Sequence, residues 1–488
     1  MKPPTFRILQ LSDIHFGSRF YYFTPDSPSG PDEWATRLAD DIDACLRVHG
    51  IGDPDAAEPP FDLLVLSGDL TSFGQHRGMD AAVIFVGEVQ QRRWWRARDI
   101  LILPGNHDVV FGDPPQDMES ISRVVIPLPK AERERLYRET YRRIRLATGV
   151  ARTTRLEEIQ SADSMGVLKA DKSTRIAILG LDSTRVEGWS NPGLGFVGYD
   201  QLWAMAECLF KDYEQSDTPW RRIAFMHHHV LPMDEVSVQA AIALQWNRHF
   251  TLDYDAADLL QGAQDYKIDF LIHGHFHRPK VRAADNSTAR PGRVLSAGSP
   301  SVRDGDCDSL HQFFLHELFD EPSSGEPPQL RVSDFQRRLG GGEAPAWSLQ
   351  VHNFPLIPRS ECTYERSEKE CVSRKNKVGQ AQAFLLAYDS YPLAKACLDP
   401  PGLISAVTEI ELYDRLDAAW ERIRRKRPER PPMIDVMPHL TRYLSQNGKS
   451  LLREFENRLS AGRHNAVPFE MFLIEIIMRD RRYGEATP

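Results

Sequence analysis

Five times this chain runs through a short apolar stretch and stops on residues that can bind a metal or move a proton. The stretches are "FRILQLSDIH" (6–15), "FDLLVLSGDL" (61–70), "DILILPGNHD" (99–108), "RIAFMHHH" (222–229) and "IDFLIHGHFH" (268–277). Runs of β-formers this short, bounded by Gly or Pro, read as buried strands. Helical stretches lie between some of them. Residues 32–50 place Trp34, Leu38, Ile42 and Leu46 at near-helical spacing and end in Gly50, and 81–95 form a second stretch. Strand–helix–strand order points to a layered α/β domain. In such a sheet the strand carboxyl ends gather along one edge, where ligands bind. The residues placed there are Asp13, His15, Asp69, Asn106, His107, His227, His275 and His277.

The rest of the first part follows the same reading. An amphipathic helix over 129–148 forms the body of a helical insert at about 112–150. "SMGVLKA" and "TRIAILGLDS" read as paired strands and 198–210 as a helix. Residues 293–301, 311–319 and 347–354 read as late strands, and 320–329 and 338–346 as loops. After about residue 360 the pattern turns helical. Leu412, Leu416, Trp420 and Ile423 share a face, and "PERPP" (428–432) breaks that helix. Pro438 is expected to open the next helix and "NG" (447–448) to close it, before a separate stripe of Leu451, Leu452, Phe455 and Leu459. The expected division is 1–358 and 359–488, the second part a candidate interaction or self-association module.

A chain of 488 residues is too long for one ordinary core, which agrees with two parts. Net charge is −9. Residues 361–488 carry 21 basic against 19 acidic side chains, so the acidity belongs to the first part. Bulk electrostatics therefore does not mark a nucleic-acid or membrane binder, and no apolar run is long enough to span a bilayer. The six cysteines are scattered without a CxxC pair, which argues against a zinc ribbon or disulfide framework and points to a reducing cytoplasm. Cys362 and Cys371 read as unrelated thiols.

Seven of the strand-end residues carry donors suited to a divalent transition metal, too many for one ion. Two ions fit if one carboxylate is shared. Asp69 is the candidate bridge, because Gly68 before it allows close backbone approach. One ion then takes Asp13, His15, Asp69 and His277, and the other Asp69, Asn106, His227 and His275. Mixed carboxylate and imidazole ligands suit Mn, Fe, Zn, Co or Ni better than Ca or Mg. Two ions roughly 3.5–4 Å apart activate water and clamp a displacement at phosphorus.

"SDIH", "SGDL", "PGNHD", "FMHHH" and "HGHFH" resemble, in order, the DxH, GD, GNH(D/E), lone-His and GHxH motifs of the calcineurin-like metallophosphoesterase superfamily. The resemblance covers about residues 5–355. It implies a four-layer α/β/β/α sandwich, followed here by a small helical module. It implies the same ligand assignment and a metal-dependent phosphohydrolase in which a hydroxide held by the ions attacks phosphorus. It also implies that His107 is not a ligand but, with Asn106, meets the phosphate and serves the leaving oxygen, and that Asp108 orients the His107 ring. Many relatives read HHPP at the fourth motif, whereas this chain reads "HHHVLP". His227 aligns best with the ligand, His228 is the runner-up, and His229 replaces a proline.

The wording of the motifs resembles the cyclic-nucleotide phosphodiesterase branch, so the expected substrate is a cyclic or other small nucleotide diester. Two alternatives stay open. One is a nuclease resembling the double-strand-break repair branch. The other is a bacterial-type defence or signalling protein whose helical module is an adaptor for a protein partner. Each site residue also has a plain reading: Asp69 as a helix cap, Asn106 as a turn residue, His275 and His277 as an exposed loop pair. Five such coincidences at five strand ends weigh against it. His49, His76, His273, His311 and His316 read as core, surface or supporting residues. Trp94 and Trp95 read as packing, and "RIRRKRPER" (422–430) as a solvated helix end.

Overall fold

The computed structural model describes residues 4–17, 20, 30–51, 60–72, 76–92, 97–109, 135, 138–139, 141–144, 157–160, 166–186, 195–212, 220–230, 255–275, 280–282, 293–301, 310–320, 327–338, 346–356, 368–399, 406–428, 430–460 and 467–479. Contacts divide the chain into two compact units, Met1–Arg366 and Ser367–Pro488.

Two sheets build the first unit. One has the order β13-β12-β11-β1-β2-β3. Its members are β1 (Phe6–Leu11), β2 (Phe61–Ser67), β3 (Ala97–Leu103), β11 (Leu310–Phe319), β12 (Gln329–Arg338) and β13 (Ser348–Pro355). The other has the order β4-β5-β6-β7-β8-β10-β9. It comprises β4 (Glu157–Gln160), β5 (Val167–Asp171), β6 (Ile176–Gly180), β7 (Arg221–Phe225), β8 (Phe270–His273), β9 (Lys280–Arg282) and β10 (Arg293–Ser296). The strands β1, β2 and β3 run parallel, as do β6, β7, β8 and β10.

Side chains alternate between the two faces of a strand, and the sequence uses both faces. Ile8, Leu63, Val65, Leu101 and Leu103 pack against Ile176, Ile178, Ile223, Phe225 and Ile272 of the other sheet. Their neighbours Leu9, Leu64, Leu66, Ile100 and Ile102 turn outward to helices α1 (Pro31–Val48) and α2 (His76–Gln91). Helix α1 starts on Pro31, whose fixed φ suits a first helical position, and buries Trp34, Leu38, Ile42 and Leu46. Helices α3 (Tyr199–Asp212) and α4 (Ala256–Asp265) form the fourth layer. The Gln201 amide of α3 accepts from the Asp182 N–H and donates to the Asp182 carbonyl, just beyond β6. The result is the four-layer α/β/β/α sandwich.

Strand β12 was not expected from the sequence. Its charged residues hide a strand whose polar groups are matched at the fold level. Asp334 accepts from Gln312 and Gln336, and Arg337 donates to Asp41. Of the expected insert at about 112–150, only residues 135, 138–139 and 141–144 are described, and these are helical. The rest of the insert, Trp94 and Trp95, Cys362 and the expected 358/359 boundary lie outside the described residues. Cys45, Cys208 and Cys397 form no disulfide among the described residues.

The second unit holds α5 (Glu368–Asp389), α6 (Tyr391–Leu398), α7 (Ala406–Arg424), α8 (Met433–Ser460) and α9 (Phe469–Arg479). Its core is apolar, with Leu416, Trp420, Met433, Phe455, Phe469 and Phe472 fully buried. Pro438 does not open a helix and Asn447–Gly448 does not close one, because both lie inside α8. Gly448 is there for close approach: a Cβ on it would stand 2.3 Å from the Leu398 carbonyl oxygen of α6. Asn447 donates to the carbonyl of Tyr443 one turn back, so it satisfies the helix rather than ending it. Val436, Leu440, Leu444, Leu451, Leu452 and Phe455 form one continuous buried stripe, and packing of that stripe overrides the local stop signals. No described helix is long and apolar enough to cross a membrane.

Candidate metal centre

The parallel strands of both sheets end at one seam. Asp13 and His15 follow β1, Asp69 follows β2, Asn106 to Asp108 follow β3, His227 follows β7 and His275 follows β8. Cross-sheet bonds close the seam. The His275 N–H donates to both oxygens of Asp13 at 3.0 Å, and the Ser299 hydroxyl donates to the Asp13 carbonyl at 2.5 Å. His227 Nδ1 lies 3.0 Å from the Ser67 carbonyl oxygen.

Local backbone geometry aims the side chains. Asp13, His15, Asp69 and His275 have φ of 56°, 55°, 51° and 79°, the left-handed region that non-glycine residues rarely enter. Such conformations cost about 1 kcal/mol or more each and cluster at functional sites. Gly68 shares the turn at φ 94°, and a Cβ on it would lie 2.4 Å from His227 Nδ1. Only glycine lets the β2 turn and the β7 end meet.

Asp69 sits at the middle. Its Oδ2 is 3.3 Å from His227 Nε2, 3.5 Å from His15 Nε2 and 4.0 Å from His107 Nε2, and its Oδ1 accepts the His107 N–H at 2.8 Å. Burial alone would raise its carboxyl, yet His227, His107 and His15 hold it well below the ordinary value. Around His227 Nε2 lie Asn106 Oδ1 at 3.0 Å and His275 Nδ1 at 3.1 Å. A carbonyl can only accept, so His227 Nδ1 carries the proton that bonds Ser67. In the neutral ring, Nε2 then offers a lone pair to three other acceptor-type atoms. Burial works against charge on His227, but Asp69, and then Asp13, outweigh it and raise the imidazole to about 9. The crowd of donors draws a positive charge, and a histidine whose far nitrogen is tied to a backbone carbonyl is the usual metal-bound tautomer.

Two groups of side chains have ligand atoms within 4.8 Å of one another: His15, Asp69 and His107, and Asp69, His227 and His275. Asp69 belongs to both. His275 Nε2 is buried without a hydrogen-bond partner among the described residues. This donor set fits divalent transition cations. Of the expected residues, the structure brings together His15, Asp69, Asn106, His107, His227 and His275. Asp13 is tied to the His275 backbone, and His277 lies outside the described residues.

Asp108 departs from expectation. Its carboxylate accepts the backbone N–H groups of Gly105, Leu70 and Thr71 at 3.0–3.2 Å, rather than turning to the His107 ring. It therefore pins the β3 turn to the β2 turn. Burial, and then the Asp69 charge, push its carboxyl up to about 7 against those three N–H groups. The sequence missed two contributors. The Ser67 carbonyl is a backbone group and leaves no residue signal. Ser183, bonded to His228, follows β6 in "ILGLDS", the same strand-then-polar phrase as the five motifs, so that signal was present.

Comparison with known proteins follows the same lines. The calcineurin-like phosphoesterase family model matches residues 6–279. Vps29 of Chaetomium thermophilum is similar at 10% identity, covering 72% of this chain and 98% of that chain, with a TM-score of 0.25. The same protein in complex with the RaPID-derived cyclic peptide RT-D3 is similar at 10% identity, covering 72% and 97%, with a TM-score of 0.28. Comparison with curated proteins finds no match.

Proposed function

This chain belongs to the calcineurin-like phosphoesterase family, and on that premise we propose that it is a two-metal phosphodiesterase acting on cyclic or other small nucleotide diesters. Metal-dependent hydrolysis of phosphoesters is the family's chemistry. The observation that supports a second ion is Asp69, the carboxylate shared by both donor groups. In this reading Asp13, His15, Asp69 and His277 would hold one ion, and Asp69, Asn106, His227 and His275 the other. Both are divalent transition metals, drawn from Mn, Fe, Zn, Co and Ni. Such a pair neutralises phosphate charge and acidifies water when bound.

The chain's own residues supply the rest. The His107 side chain is 15% exposed, whereas those of His15 and His227 are fully buried, so of these three His107 is the imidazole that can reach a substrate. Its backbone N–H on Asp69 keys it to the shared carboxylate, and in this reading its ring protonates the leaving oxygen. Asn106 turns its Oδ1 to the donors and keeps its NH₂ for a phosphate oxygen. Asp108 holds the turn on which both stand.

A small diester rather than a nucleic acid is favoured by the acidity of residues 1–360. Residues 1–358 are assigned to hydrolysis and 359–488 to association with a protein partner or a second copy, and the scattered cysteines favour a cytoplasmic setting. The test is metal analysis of protein purified without chelator, then hydrolysis of bis(p-nitrophenyl) phosphate, cyclic nucleotides and single-stranded DNA with added Mn²⁺. Turnover confined to the small diesters is expected. Preferred cleavage of DNA selects a nuclease, and a metal-loaded chain inert on all three leaves the adaptor role.

A further inference from the structure

The fourth strand-end motif carries three histidines in a row, and His227 is the one whose ring nitrogen meets Asp69. We propose that Ser183 makes that selection: its hydroxyl captures His228 and so leaves His227 as the ligand of the metal centre. The inference rests on the reading of His227 and His275 as ligands, and names the residue that keeps their neighbour out of the site.

Strands β6 and β7 pair in parallel with Gly180 opposite Phe225. Ser183 and His228 each lie three residues further on and meet in the same register. Ser183 is fully buried. Its Oγ accepts the His228 backbone N–H at 3.1 Å and lies 2.8 Å from His228 Nδ1, and it has no other partner among the described residues. The amide can only donate; a hydroxyl that also accepted from Nδ1 would leave its own buried proton without a partner among the described residues, and in this proposal that proton therefore goes to Nδ1. An accepting Nδ1 puts the ring proton on Nε2. His228 in that state offers a cation nothing: one lone pair is taken and the other nitrogen is protonated.

His227 is the reverse. Its Nδ1 donates to the Ser67 carbonyl, so the neutral ring, the form that binds a cation, has its lone pair on Nε2, towards Asn106 and Asp69. Adjacent residues are thus held in opposite tautomers by one oxygen atom each. The distinction matters because the His228 ring lies 4.7 Å from the His275 ring and 5.1 Å from the His227 ring. With its Nδ1 released, His228 becomes a third imidazole beside the centre and competes for the ion. His229, stacked 5.7 Å from His275, sits behind it.

The test uses the full chain. Metal-free protein with ¹⁵N-labelled histidine is expected to show His228 protonated on Nε2 and accepting on Nδ1 in ring ¹⁵N–¹H correlation spectra. Ser183→Ala is expected to give a mixture of tautomers, and Ser183→Thr to restore one. In Co²⁺ titrations Ser183→Ala should alter the visible absorption, because the released His228 enters the ligand set, with affinity no lower than that of the wild type. The double variant Ser183→Ala/His228→Phe should regain the wild-type Co²⁺ spectrum, because the alternative ligand is gone; a purely structural role for Ser183 gives no such rescue. Wild-type His228 protonated on Nδ1, or a double variant that keeps the Ser183→Ala spectrum, overturns the proposal. If Ser183→Ala does not fold, the wild-type tautomer and His228→Phe alone decide, the latter expected to bind Co²⁺ as the wild type does. A wild-type chain that binds no Co²⁺ defeats the metal reading instead, and the tautomer measurement still judges the Ser183 pairing.

Discussion

The two units of this chain bury different things. The sandwich encloses charge: Lys169 and Asp99 pair at 3.1 Å between its sheets with side chains 1% and 2% exposed, Arg185 grips Asp200, and Asp69 is ringed by histidines. Among the described residues the core of the helical unit is hydrocarbon, and its ion pairs lie at or near the surface, as in Arg415–Glu411. An apolar core is enough to make a stable fold, and buried charge is costly unless matched. The sandwich carries that cost where its sheets meet and its strands end, and the donors of the metal centre stand at those strand ends. Among the described residues the helical unit buries one charged side chain, Arg430, which lies over the Trp420 ring.

This contrast can be broken by substitution. Asp69→Asn, in the sandwich, is expected to lose at least one metal and roughly 10³-fold or more of the hydrolysis, beyond the 10- to 100-fold typical of supporting residues. Elemental analysis beside a diester assay checks it, and a fully loaded Asp69→Asn protein would sink the shared-carboxylate reading. His107→Ala should keep both metals and lose about 10²- to 10⁴-fold in turnover; metal loss there would make His107 a ligand instead.

Stability sharpens the same comparison. Asp99→Ala removes the carboxylate paired with Lys169 between the sheets and should cost about 3–5 kcal/mol in denaturant unfolding of the sandwich. Arg415→Ala removes the exposed Arg415–Glu411 pair of the helical unit and should cost less than about 1 kcal/mol. Equal effects would erase the distinction between the two interiors.

Acid should also separate the units. Burial lowers His316 to about 3, and its Nε2 bonds Gln10 inside the sandwich. The unfolded chain binds a proton at this residue near its ordinary value of about 6.5, and the folded chain does not until about 3. The His316 contribution is therefore complete above pH 6.5 and drains away as pH falls towards 3. The helical unit buries no histidine among the described residues. Melting followed by a probe in each unit between pH 7 and 4 should show the sandwich losing stability over that window while the helical unit changes less.

The five strand-end motifs were legible because each packs its chemistry into a few adjacent letters, and a buried strand announces itself by its apolar run. Strand β12 was not, because the partners of Asp334 and Arg337 come from β11, α1 and β12 itself, and no local pattern records them. Pro438 and Gly448 misled for the opposite reason. They are strong local stop signals, and the long stripe of α8 against α6 outweighs them.

The amino-acid sequence by itself determined which donors exist, in what order they arrive and at which strand ends they stand, since residue type and strand periodicity are local properties. Tertiary structure alone decided how those donors are used. Asp108 went to backbone amides of two turns, and His227 rather than His228 was turned to Asp69. Both outcomes depend on hydrogen-bond partners that arrive from another strand end: the Leu70 and Thr71 amides for Asp108, and the Ser67 carbonyl for His227.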